Sequence, residues 1–199
     1  MQAAEVTPVR RIAADFAESP IALAGLTLLG LIVLAAIFAP LISPQNPYDL
    51  AQLDVLDSRL PPGSSSAEGK TFWLGTDDQG RDMLSGIFYG LRISIVVGVA
   101  STLCALAIGM VFGLAAAYFG EWTDTLIMRV VDIQLSFPAI LIALILLAVL
   151  GQGLDKIIFA LVAVQWAYYA RTVRGNALVE RRKEYIEAAT CLALSPARI

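Results

Sequence analysis

The sequence predicts an all-α integral membrane protein with four transmembrane helices, an external loop and a short cytosolic helix. Three observations predict it. Of the 199 residues, 58% are hydrophobic and only 16% are charged, where globular domains carry about a quarter charged. The apolar residues gather in stretches of seventeen or more with almost no charge, raising the mean hydropathy to +0.73; such stretches are the mark of membrane spans. The basic residues, finally, fall unevenly on the two sides that four spans would define.

Residues 1–19 form a polar N-terminal tail carrying Arg10 and Arg11. Ser19-Pro20 reads as an N-cap followed by a first-turn proline, so the first transmembrane helix is expected over 20–43. Its core, 21–42, holds no charge. At about 22 residues it can cross a bilayer, and it is too long for the apolar core of a signal peptide, so the span is uncleaved.

Residues 44–90 should form the external loop. Pro44, Pro47, Pro61, Pro62, Gly63 and a serine triplet break regular structure, and seven acidic residues lie between Asp49 and Asp82. In "RDMLSGIFYGLR" Met83, Leu84, Ile87, Phe88 and Leu91 share one helical face. They are expected to form a short interfacial helix, the alternative being the first turns of the next span.

Residues 91–199 make up the rest. The second span, 93–119, carries a small residue at every fourth position: Ser101, Ala105, Gly109, Gly113 and Ala117. Lipid is as apolar as leucine, so helices associate in membranes through close backbone packing, which such a stripe permits. It does not name the partner. After the turn "GEWTD" comes a third span, 125–150. Arg129 and Asp132 there are three apart and expected to pair as an intramembrane ion pair, and Pro138 should kink the helix. The fourth span, 157–173, ends in Trp166, Tyr168 and Tyr169, residues of the kind that anchor helices at the interface. Arg171, Arg174, Arg181, Arg182 and Lys183 cluster at and beyond its end.

Orientation follows from the arginines and lysines. With the N-terminus inside, nine lie in cytosolic segments and five outside, which favours N-inside.

Several chemistries are excluded. There is no histidine, which removes imidazole acid–base work and zinc–histidine sites. Cys104 and Cys191 sit in unlike settings, so no disulfide framework is expected. Net charge is −3, and no basic footprint suggests nucleic acid. "GSSSAEGKT", 63–71, imitates a phosphate-binding loop. Five residues rather than four separate Gly63 from Gly69, and a Pro-Pro pair stands where a strand is needed. It reads as a flexible outer loop. No enzyme activity, cofactor or metal is expected.

Three stretches go further. "WLGTDDQGRDMLSGIFYGLRIS", "AAYFGEWTDTLIMRVVDIQLSFPAIL" and "WAYYARTVRGNALVERRKEYIEAA" closely resemble the inner-membrane permease subunits of ABC importers for dipeptides, oligopeptides and nickel. The matches run in order from 73 onward, over about two thirds of the chain, and the long acidic loop before them is similar to that of the second permease of the heterodimer. The resemblance implies an ATP-driven importer in a bacterial cytoplasmic (inner) membrane, with di- or oligopeptides the first expectation for its solute. Nickel or another small solute is the alternative within the class. A gradient-driven secondary transporter and a membrane scaffold are rivals outside it. The implied partners are a second homologous permease subunit, two cytosolic ABC ATPase subunits, an extracytoplasmic substrate-binding protein and the lipid bilayer.

Glu187-Ala188-Ala189 resembles the cytoplasmic motif by which such permeases engage their ATPases. A helix over 181–193 puts Tyr185, Ala188, Ala189 and Leu192 on one stripe, and Glu184, Glu187 and Cys191 on another. The expected docking residues are therefore Tyr185, Glu187, Ala188, Ala189 and Leu192. The sequence departs from the family twice. Ala193 stands where the family usually has glycine, six residues after the glutamate, so the turn must form without glycine's freedom at positive φ; Ser195-Pro196 restarts a helix beyond it. The family also continues for two more spans, six in all, so the sequence is expected to be either a fragment or the product of a gene truncated after the motif.

Overall fold

The computed structural model describes residues 8–66 and 69–195. It is mainly helical and divides within a long helix into two units, Met1–Val96 and Val97–Ile199.

The first unit opens with a helix inside the tail, α1 (Pro8–Ala17). Ile12 and Phe16, one turn apart, are both exposed on it. It stops because Pro20 disfavours helical backbone at the residue before it; Ser19 is extended at φ −93°, ψ 107°. The Ser19 hydroxyl then accepts from the Ala22 N–H at 3.3 Å and caps α2 (Pro20–Ile37), at the start that Ser19-Pro20 predicts. The apolar run continues to 42, but Pro40 has no N–H to give to the Ala36 carbonyl. The helix therefore ends at Ile37 and a single turn follows, α3 (Ala39–Ile42).

Residues 43–82 are tied to the start of α4 (Met83–Phe119). Asp82 caps α4, its Oδ2 accepting from the Ser85 N–H at 2.8 Å and the Ser85 hydroxyl at 2.6 Å. Gln45 accepts from the Asp82 N–H at 2.8 Å, and its own N–H donates to Ser85 Oγ at 3.3 Å. All three side chains are buried. Within "LGTDDQGRD", Asp77 folds the chain back by accepting from the N–H groups of Gln79 and Arg81. Gly80, at φ +74°, passes so close to the 54–60 segment that a Cβ there would lie 2.2 Å from the Asp54 carbonyl oxygen. The phosphate-loop imitation is a two-stranded antiparallel hairpin, β1 (Ser64–Ser65) with β2 (Thr71–Phe72), anchored by buried Phe72.

A separate interfacial helix does not form. Met83, Leu84, Ile87, Phe88 and Leu91 are the first turns of α4, because nothing between Leu91 and Ser94 ends a helix. At 37 residues α4 exceeds the roughly 20 that a bilayer core requires.

In the second unit α5 (Glu121–Leu135), α6 (Ala139–Leu150) and α7 (Leu154–Glu180) pack together, α7 against both others, and α8 (Glu184–Cys191) follows. Pro138 does more than kink its span. The chain breaks over Ser136–Pro138 and resumes at 86°. Val131, Ala167 and Ala170 form the buried core, flanked by Ile127, Met128, Leu135 and Trp166.

Among the described residues, α2 and α4 are each long and apolar enough to cross a membrane, and the bent α5–α6 pair adds a third if it is one span. α7 has 27 residues, but Gln165, Trp166, Tyr168, Tyr169, Arg171 and Arg174 make its second half too polar for that measure.

Candidate functional site

The site is built on α7, which carries α8 at its end and packs on two other helices. Two small residues of α4, Gly109 and Gly113, lie against it. A Cβ added to Gly109 would come within 2.7 Å of the Trp166 carbonyl oxygen and 2.9 Å of the Ala170 nitrogen. At Gly113 it would come within 2.6 Å of the Ala170 carbonyl oxygen. Ser101, Ala105 and Ala117 are buried on the same helix. Backbones at this separation leave no room for side chains, the geometry in which small residues hold membrane helices together.

α5 is joined to α7 by polar contacts. Gln134 donates through Nε2 to the carbonyls of Ala163, at 2.6 Å, and Val164, at 3.1 Å, and its Oε1 accepts from Trp166 Nε1 at 3.0 Å. One amide thus uses three hydrogen bonds in a setting where an unsatisfied polar group is costly. Trp166 also packs within the unit, its ring 5.4 Å from that of Phe112.

The expected pair of Arg129 with Asp132 does not form. Asp132 accepts instead from Arg171 of α7. Arg129 is exposed. The helix that packs on α5 delivers a guanidinium to the Asp132 carboxylate, and the cation three residues away on the same helix is not needed. One turn further along α7, Arg174 makes a two-pronged contact with Asp124, Nη2 lying 2.5 Å from Oδ2. Bidentate arginine–carboxylate pairs fix orientation as well as add energy.

Beyond Glu180 the chain turns through Arg181–Lys183 into α8. Arg181 reaches back and donates to the Ala117 carbonyl oxygen at 3.0 Å, taking one of the carbonyls that the end of α4 leaves open. Glu180 accepts from the Tyr185 hydroxyl at 2.5 Å and from Lys183 at 2.7 Å. The hydrogen bonds from Lys183, first, and Tyr185 hold the Glu180 carboxyl below its usual pKa, and the same carboxylate raises those of Lys183 and Tyr185. α8 is thus moored to α7 while its outer stripe stays open: Tyr185, Glu187, Ala188 and Leu192 are exposed and Ala189 is half-buried.

The helix ends on a backbone lock. Leu194 N–H donates to the Ala189 carbonyl at 3.2 Å and Ala193 N–H to that of Thr190 at 2.9 Å. This is the Schellman pattern, which requires a left-handed residue at its centre. That residue is Ala193, at φ +55°. An alanine occupies backbone that glycine adopts more easily. Pro196, and with it the expected helix restart, lies outside the described residues.

The sequence reading assigns no partner to Gln134, Arg171, Asp124 or Arg181. Gln134 carried a signal, as a lone amide close to an apolar run; the partners of the other three depend on which helix packs where. Among the described residues no group of three or more metal-ligating side chains gathers.

Residues 109–199 match the family described as binding-protein-dependent transport system inner membrane component. Residues 7–62 match the N-terminal TM domain of oligopeptide transport permease C. The oligopeptide transport system permease protein OppC of Bacillus subtilis is 37% identical over 184 residues, 92% of this chain and 57% of that protein. The dipeptide transport system permease protein DppC of Alkalihalophilus pseudofirmus is 36% identical over 194 residues, 98% of this chain and 61% of that protein. The glutathione transport system permease protein GsiD of Pectobacterium atrosepticum is 36% identical over 183 residues, 92% and 58%. The chain therefore spans about three fifths of the length of these relatives. By these two family matches, over 7–62 and 109–199, the chain belongs to the inner-membrane components of binding-protein-dependent transport systems.

Proposed function

We propose that this chain acts as a permease subunit of an ATP-driven importer for di- or oligopeptides, and that α8 docks into the ATPase that drives it. The observation that carries the reading is α8 itself: a short helix with an open stripe of Tyr185, Ala188 and Leu192 beside Glu187, tethered to the end of α7. Alanines let a partner approach the backbone, and Glu187 offers a carboxylate to a basic cleft. A load on α8 would pass through Glu180 into α7 and through Arg181 into the end of α4. Helices of this length are rigid over tens of ångströms, so movement of α8 would be carried into the bilayer.

In this reading the chain crosses the membrane four times, through α2, α4, the bent α5–α6 pair and α7. Residues 1–19, 120–124 and 174–199 are cytosolic, 20–43 hold the first crossing, 44–90 are external and 91–199 form part of the permease domain. A second permease subunit completes the pathway, two ATPases supply energy, and an extracytoplasmic binding protein delivers the peptide. The relatives are named for oligopeptide, dipeptide and glutathione transport, which supports a peptide-like solute.

Two experiments test this. Cysteines placed at Ser65 and Ser195 should label from opposite sides of the membrane; labelling from one side removes the topology. In a complete permease pair, with this chain extended to its relatives' length, Ala189→Trp and Glu187→Lys should reduce ATPase co-purification and substrate-stimulated ATP hydrolysis while membrane insertion is unchanged. Added volume in a packed contact is tolerated poorly, and the charge reversal should be salt-sensitive. Full docking and full coupling in both variants would rule α8 out as the contact.

A further inference from the structure

We propose that the first unit carries a glycerophospholipid site, with the lipid phosphate on Arg92 and an acyl chain in the groove between α2 and α4. The groove has a volume of about 260 Å³ and is lined by Val33, Ala36, Ile37, Arg92, Ile95 and Val96. Every lining residue but Arg92 is apolar. Among the described residues Arg92 is exposed and makes no hydrogen bond or ion pair; Arg59, Arg81, Arg171, Arg174 and Arg181 each have a partner, and Arg129 and Arg182, exposed like Arg92, do not line the groove.

The chemistry selects the occupant. Val33 and Ile37 belong to the last turns of α2, and Arg92 lies some two and a half turns into α4, so all three are on the side of the membrane that carries residues 43–82. A guanidinium close to the hydrocarbon is costly unless it reaches an anion or the headgroup layer. Arginine's planar fork matches phosphate oxygens, and the anion that comes joined to an apolar chain is a phospholipid. A free phosphate would satisfy Arg92 and leave the groove uncovered. An apolar partner helix would cover the groove and leave the cation unpaired. This proposal rests on α2 and α4 lying in a bilayer and is independent of peptide transport or ATPase docking.

The test is native mass spectrometry of the chain released from nanodiscs of phosphatidylethanolamine and phosphatidylglycerol, with retained phospholipid counted. The wild type should hold one phospholipid through activation that strips the annular lipids. Arg92→Gln should lower retention by about tenfold or more, the loss of a charge-assisted contact. Arg92→Lys should fall between the two. Val96→Trp fills the groove from an exposed position and should lower retention while Arg92 is intact. Millimolar inorganic phosphate should not displace the lipid; displacement would mean that a free anion is the ligand and would overturn the lipid assignment. Equal retention in all four proteins would overturn it too. So would cross-linking of cysteines at Arg92 and Val96 to a second permease subunit in the assembled complex, because a protein would then occupy the groove.

Discussion

The carbonyl oxygen of Trp166 occupies the space that a side chain on Gly109 would need: a Cβ there would come within 2.7 Å of it. Gly113 stands in the same relation to Ala170, one turn on. Two glycines thus set how closely α4 approaches α7.

Gly109→Leu and Gly113→Leu should each destabilise the chain by about 1–3 kcal/mol or prevent assembly, since backbone atoms cannot yield as a flexible side chain can. Gly98→Ala on the same helix meets nothing within 4 Å and should be neutral or slightly stabilising, because alanine is the better helix former. Thermal unfolding in detergent, followed by circular dichroism, measures both. Equal melting temperatures across the set would mean that the close approach does not bear on stability.

Gln134→Leu should cost about 1–2 kcal/mol, chiefly by stranding the Trp166 indole N–H. The two carbonyls it also serves belong to α7, whose own hydrogen bonds remain. Trp166→Phe in the Gln134→Leu background should therefore cost less than in the wild type. A double-mutant cycle reads this coupling. Strict additivity would show that the indole–amide bond contributes nothing.

Ala193→Gly should stabilise the end of α8 by about 1 kcal/mol, because left-handed backbone costs an L-residue roughly 1–2 kcal/mol and glycine little. Ala193→Val should have the opposite sign and be larger. Amide exchange at Leu192 and Leu194 is the local readout. Faster exchange in the glycine variant would show that the strain is not borne at this residue.

The tether between Glu180, Lys183 and Tyr185 should depend on pH at both ends. Glu180 titrates lower in the folded chain, so its contribution is present above the unfolded glutamate pKa and lost as pH falls through the depressed value. Lys183 and Tyr185 titrate higher, so theirs is present below their unfolded values and lost as pH rises through the raised ones. The tether is therefore intact from roughly pH 5 to pH 9.5. Tyr185→Phe should loosen α8 across that window, seen as increased mobility of a spin label at Thr190. The difference between wild type and variant should shrink as pH falls through the depressed Glu180 value; a difference that does not change on acidification would mean that the carboxylate is not the tether.

Several elements could be read without the fold, and the reasons are local. Ser19-Pro20 predicts the start of α2 because both the cap and the proline act within one turn. Pro138 announces an interruption, since a missing N–H matters in any helix. The long apolar runs predict helices because backbone polar groups in lipid must pair within their own segment.

What the amino-acid sequence determined by itself were features that act over a few residues: the capped start of α2, the interruption at Pro138 and the helical state of the apolar runs. Where it offered two local readings, as for Met83 to Leu91, local rules could not choose, and the unbroken backbone of α4 did. The tertiary structure alone decided the pairings. The stripe on α4 contains Gly109 and Gly113, but only the position of Trp166 and Ala170 makes α7 its neighbour. Asp132 has a cation three residues away, yet takes Arg171 because a packed helix brings that guanidinium to it. The 86° turn at Pro138 likewise exceeds what proline requires, since proline removes a hydrogen bond and the packing on α7 sets the angle. Interactions within a turn are encoded by residues next to one another; contacts between helices depend on distances that no short stretch of sequence specifies.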